Sequence, residues 1–120
     1  MKVVSTSALP KESAGGPLFT GEVFRQVIVK PEESQSFNFS IVNFPAGTRN
    51  KFHQHTGDQI LIVTEGTGTV ATEQEERTVT AGDIVLIPAG ENHWHGAPGD
   101  TAMSHITVQP KGATTQQNEA

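Results

Sequence analysis

Apolar and polar residues alternate along this chain in short runs, and nowhere do apolar residues recur at the 3.6-residue spacing of an amphipathic helix. The runs lie at 22–29, 37–44, 59–65, 67–72, 76–79, 83–87 and 103–109, and most are rich in Val, Ile, Phe or Thr. A period of two sends successive side chains to opposite faces of a strand, so each run predicts a strand with one buried face. Between them stand Pro45-Ala46-Gly47, Thr56-Gly57-Asp58, Glu65-Gly66, Ala81-Gly82-Asp83, Pro88-Ala89-Gly90 and Pro98-Gly99-Asp100. These supply the preset or positive φ that turns require, and Glu65-Gly66 accordingly reads as a turn separating two strands. Strands at this spacing predict an all-β sandwich or barrel.

The ends break the pattern. Residues 1–17 are rich in Ser, Gly, Pro and Lys and read as an N-terminal arm, and residues 111–120 are polar without period and read as a flexible C-terminal tail. A single domain over 18–110 is left between them, in keeping with a length of 120 residues.

Composition narrows the chemistry. With 34% hydrophobic and 18% charged residues the chain is globular, and a net charge of −5 without any Lys/Arg cluster argues against nucleic acid and anionic membranes as partners. The absence of cysteine excludes thiolate catalysis, disulfides and sulfur-ligated zinc, so a bound metal would sit on N and O donors. No long apolar run predicts a membrane span, and the expected location is the cytoplasm.

All five histidines fall between positions 53 and 105, four of them as the pairs His53/His55 and His93/His95. Residues two apart on a strand share a face, so each pair can aim two imidazoles into one cavity, which is metal-site geometry. Imidazole suits Mn, Fe, Ni, Cu and Zn, and Trp94, between two histidines, should point the other way. His95 is open to two readings, a cavity group or an exposed rim histidine. In 103–109 the alternation puts Met103, His105, Thr107 and Gln109 on one face, where His105 is either a neutral base or a hydrogen-bonded core residue. Ser40 and Val42 share a face of 37–44, although periodicity does not say which face is the lumen.

Spacing adds more. Gly47 is followed after five residues by His53-Gln54-His55, after three more by Gln59 and after six by Gly66; downstream, Gly82 is followed after five by Pro88-Ala89-Gly90 and after two by His93. These stretches resemble the two paired motifs of the cupin family, with Gln59 where the family usually has Glu and Ala97 where it usually has Asn. The resemblance implies a double-stranded β-helix (jelly-roll-like) barrel and a divalent metal on His53, His55, Gln59 and His93. With four neutral donors the full dipositive charge is left uncompensated, which favours an anionic exogenous ligand.

A narrower resemblance, carried by HQHTGDQILIVTEGTG, PAGENHWHGAP and TAMSHITVQ over residues 18–110, is to the bacterial manganese-dependent cupin hydroxynitrile lyases. It implies manganese, with Fe, Ni or Zn as other choices, His105 as the base, and Ser40, Val42, His95 and Gln109 lining a pocket for a cyanohydrin. Ser40 is larger than its counterpart in those lyases. Other activities fit the same site: a metal-dependent dioxygenase, a sugar or uronate isomerase, or a small-molecule-binding barrel without turnover. Small barrels of this kind cover exposed edges and faces by self-association, so a homodimer or homotetramer is expected, with 18–30 available for strand exchange.

Overall fold

A computed structural model describes residues 1–120. Eleven strands follow one another along the chain: β1 (Glu12–Ser13), β2 (Phe24–Val29), β3 (Phe37–Phe44), β4 (Thr48–Arg49), β5 (His53–His55), β6 (Gln59–Thr72), β7 (Glu76–Thr80), β8 (Ile84–Ile87), β9 (His93–Ala97), β10 (Met103–Pro110) and β11 (Thr115–Gln117). They form one curled sheet in the order β1-β2-β3-β10-β6-β9-β5-β11, with β7 and β8 paired to β6 and β4 to β9. Every pairing is antiparallel. The all-β expectation holds.

β6 makes the curl. Its first half pairs with β8 and β10, and its second half with β7 and β9, so one 14-residue strand belongs to both walls of the barrel. The sequence pattern predicts a turn at Glu65-Gly66; the strand runs through it instead. Gly66 has φ +73°, the β6–β10 register slips beside it, between Ser104 and His105, and a Cβ on Gly66 would collide with the Ala102 carbonyl oxygen. A bulge and a turn ask for the same residue, and only long-range pairing distinguishes them.

Register also decides which faces point inward. Residues opposite one another in an antiparallel pair share a face: Val42 lies opposite His105, which lies opposite Val63, and Phe44 lies opposite Met103. Val23, Val42, Phe44, Val63, Val79, Ala97 and Met103 pack as the core. The lumen side of β3 is therefore the one carrying Ser40 and Val42. On the outer side Ile84 and Leu86 stay exposed.

Residues at both ends make contacts with the barrel that composition does not predict. Gln26 Nε2 donates to the carbonyls of Thr6 and Leu9, and Lys2 Nζ donates to the Ile28 carbonyl and pairs with Glu33 at 2.8 Å. At the other end, β11 pairs with β5, Asn118 N–H donates to the Phe52 carbonyl, and the Glu119 carboxylate meets Arg49 and the Phe52 N–H. Backbone pairing at an open sheet edge needs no apolar period, which is why neither attachment leaves a hydrophobic signature.

Candidate metal centre

The short strand β5 carries His53 and His55 inward on one face, and β9 brings His93 directly opposite His53. All three are buried, and their ring centroids are 4.2 Å (His53–His93), 4.8 Å (His53–His55) and 5.3 Å (His55–His93) apart. One nitrogen from each lies within 4.8 Å of the others. Each Nδ1 has its own partner: the Lys51 carbonyl at 2.6 Å for His53, Thr115 Oγ1 at 2.9 Å for His55 and the Glu91 carbonyl at 2.8 Å for His93. The carbonyl partners fix a proton on Nδ1 of His53 and His93, and Thr115 Oγ1 can accept one from His55, which leaves the Nε2 lone pairs for the common centre, the way outer hydrogen bonds orient metal-ligating imidazoles.

Gln59, at the start of β6, completes the set. Its Nε2 donates to Thr107 Oγ1 at 2.8 Å, which turns Oε1 towards the cluster, 3.2 Å from His93 Nε2. With the His93 proton on Nδ1, two lone-pair atoms face each other across that distance, an arrangement that a shared cation relieves. His55 Nε2 is also buried without a partner. The donor set thus fits a divalent ion on three imidazoles and an amide oxygen.

Burial pushes these imidazoles into the neutral, ligating form. Desolvation first, and then the neighbouring imidazoles, lower His53 to about 3 and His55 to about 4, and desolvation lowers His93. An unfolded chain takes up protons near pH 6.5 while the native metal-free protein resists them down to pH 3–4. Native stability is therefore fully present above about 6.5 and is lost as pH falls towards the folded values. Thermal melts of metal-free protein should show a flat midpoint above about pH 7 and a steady decline from about 6.5 to about 4; a midpoint insensitive to pH over that interval would contradict neutral burial.

A second histidine pair lies beside the first. His95, also inward on β9, stacks on His93 at 5.7 Å and 14°. His105 on β10 lies beyond it, its Nε2 2.9 Å from His95 Nδ1 and its ring 5.4 Å from Phe44. Both are buried, with pKa values lowered by desolvation, His105 to about 4. The rim reading of His95 is excluded by its 3% exposure. Ser40 and Val42 lie opposite Thr107 and His105, and Gln109 follows on the same face of β10. A cavity of about 510 Å³ opens between β7 and β8, lined by Val70, Val79, Val85 and Ile87 and reaching His93.

A model of the Cupin domain matches residues 40–109, which contain every one of these inward groups. This chain is a cupin. It is similar to the (R)-mandelonitrile lyase of Granulicella tundricola, at 35% identity over 102 residues, covering 82% of this chain and 78% of that protein. A crystal structure of a cupin-like protein from Thermotoga maritima superposes with a TM-score of 0.82 at 31% identity, over 90% of this chain and 84% of that one. A polyketide cyclase from Streptomyces resistomycificus shares the fold, with a TM-score of 0.89 at 18% identity over 100% and 87% of the two chains. The cupin is thus related to the hydroxynitrile lyases, and no helix in it is long and apolar enough to cross a membrane.

Three residues of this cupin's site carry no signal of their role in the sequence: Asn50, which bonds His95, and the outer partners Thr107 and Thr115. Thr107 is legible only as a face-mate of His105, whereas Thr115 sits in a polar stretch with no period. Thr115→Val keeps the shape and removes the hydroxyl that holds His55 Nδ1, so metal affinity should fall about tenfold, the low end for losing an outer hydrogen bond to a ligand. Competition with a chromogenic chelator reads this; affinity equal to wild type would mean that β11 does not orient the ligand.

Proposed function

We propose that this cupin is a divalent-metal-dependent lyase that breaks or forms the bond between the nitrile carbon and the hydroxyl-bearing carbon of a cyanohydrin, giving a carbonyl compound and hydrogen cyanide in the breaking direction. Its likeness to a mandelonitrile lyase across 82% of the chain carries the reading, because the matched span includes both histidine pairs and Gln59. His53, His55, Gln59 and His93 would hold the ion, with manganese as the first choice. When bound, the cation supplies Lewis acidity and a positive charge that no carboxylate among its ligands offsets.

The remaining residues position the substrate and handle its proton. Ser40, Val42 and Gln109, on one face of the β3–β10 pair, would line the substrate's place there, with Ser40 and Gln109 offering polar groups beside the apolar Val42. His95 has partners at both ring nitrogens, whereas His105 keeps Nδ1 without one. The His105 Nδ1 edge is therefore the part of the pair that can meet the substrate oxygen. Burial among Val42, Phe44, Val63 and Met103 keeps water from competing for it.

Manganese-loaded protein should release cyanide from mandelonitrile well above the buffer rate, and His105→Ala should lower kcat/KM by about a hundredfold, a common cost of deleting a proton-handling or charge-stabilising group. Cyanide release no faster than in buffer overturns the lyase reading and leaves the metal site to be judged on its own.

A further inference from the structure

The outward face of the wall that β8, β6, β10 and β3 form is apolar from strand to strand. Ile84 lies opposite Ile62, Ile62 opposite Ile106 and Ile106 opposite Ile41. Two residues along, Leu86, Ile60, Val108 and Phe39 face one another in the same way. Leu61, Val63, His105 and Val42 alternate with them and point into the barrel, so these two rows point out. At the β3 end the N-terminal arm lies over the face: Gln26, opposite Ile41, bonds the Thr6 and Leu9 carbonyls, and Ile41 is buried. The β8 end is bare, with Ile84 70%, Leu86 65% and Ile60 39% exposed.

The barrel itself does not account for this face, because its core packs on the other side of the same strands. Neither row holds a charged residue, and β8, an edge strand, lacks the charges that guard such an edge against pairing. Phe37 extends the second row beyond Phe39, the two rings 6.4 Å apart. At these exposures the face leaves roughly 500 Å² of apolar surface in water, the apolar share of a standard interface of about 800 Å² per partner. Its residues are Ile, Leu, Val and Phe, as in a core cut in half, without the Trp, Tyr or Arg that anchor contacts between different proteins. An uncharged face also meets its own copy across a two-fold axis without like-charge contact, which matters for a chain of net charge −5.

We propose that this face is the interface of a homodimer, in which two copies pack their β8–β6–β10 faces sheet on sheet about a two-fold axis, with Ile84, Leu86 and Ile60 buried between them. The arrangement needs no exchange of residues 18–30, because β2 pairs with β3 in its own chain. The candidate metal ligands point to the other side of the sheet, so the interface depends neither on the ion nor on the lyase reading.

Light scattering and sedimentation equilibrium of the full chain, between about 1 and about 100 μM, read the association directly. Wild type should have a mass near twice the 12.8 kDa of one chain. Ile84→Lys combined with Leu86→Lys puts unpaired charges into the contact and should weaken association at least about a hundredfold, leaving monomer with an unchanged far-UV circular dichroism spectrum. Ile84→Thr combined with Leu86→Thr keeps the β preference of the strand, should shift the equilibrium the same way, and stands in if the lysine protein does not fold. Thr78→Lys, on the outward face of β7 in the other wall, should leave the mass unchanged. A tetramer that the β8 substitutions reduce to smaller species supports the proposal. Wild type that stays monomeric at the highest concentration overturns it, as does a dimer that survives both β8 double substitutions or that Thr78→Lys dissociates as readily.

Discussion

His93→Ala should reduce bound manganese from roughly one ion per chain to near zero, read by elemental analysis of protein dialysed after saturation. His93 is the ligand whose loss costs most, because it stands in register with His53 and faces the Gln59 oxygen at 3.2 Å, so its removal opens the cluster on two sides. The variant should still fold, since β9 is held by backbone pairing to β4, β5 and β6 and needs no imidazole for that. His105→Ala is the matched control: it deletes a buried imidazole of the same size outside the ligand set, and manganese should stay bound. Unchanged stoichiometry in His93→Ala, with a normal melting curve, would remove the assignment of this cluster as a metal centre.

Gly66→Ala should be the most damaging of the glycine substitutions, costing about 3 kcal/mol or more of a total of roughly 5–15 kcal/mol for a domain of this kind. Two effects add there: φ of +73° disfavours any L side chain, and the new methyl runs into the Ala102 carbonyl where β6 crosses between the two walls. Gly47→Ala separates them. Gly47 has φ +86° but open space around it, so it incurs strain alone, about 1 kcal/mol. Urea unfolding of the two variants checks the difference, and equal losses would mean that the Ala102 loop yields without cost. Because His105 sits at the slipped register beside this bulge, the same substitution should also disturb the His95–His105 contact.

These two sites mark the reach of sequence. The candidate donors are legible in the chain through their resemblance to the cupin motifs: His53 and His55 two apart, Gln59 four further on, His93 after a Pro-Ala-Gly turn. Period two puts His53 and His55 on a shared face without knowledge of the fold, whereas Gln59 and His93 reach them only through the pairing of β5, β6 and β9. The strand content is legible through the same period, and β3 runs over the residues that alternation assigns to it.

What tertiary structure alone decided is everything that depends on which strands become neighbours. Alternation shows that Ser40 and Val42 share a face but not that the face is the lumen; the β3–β10 register settled it by placing Val42 opposite His105. Glycine at 66 signals a positive φ in either a turn or a kinked strand, and only the pairing of β6 with four other strands shows that the strand continues, with its register shift at Thr64. Asn50 and Thr115 reach histidines 45 and 60 residues away through side-chain hydrogen bonds, and the C-terminal strand docks by backbone pairing with polar side chains. Hydrophobic periodicity records burial, which each residue carries in its own side chain. Hydrogen bonds across the sheet are properties of pairs, and for such pairs the chain carries no local record.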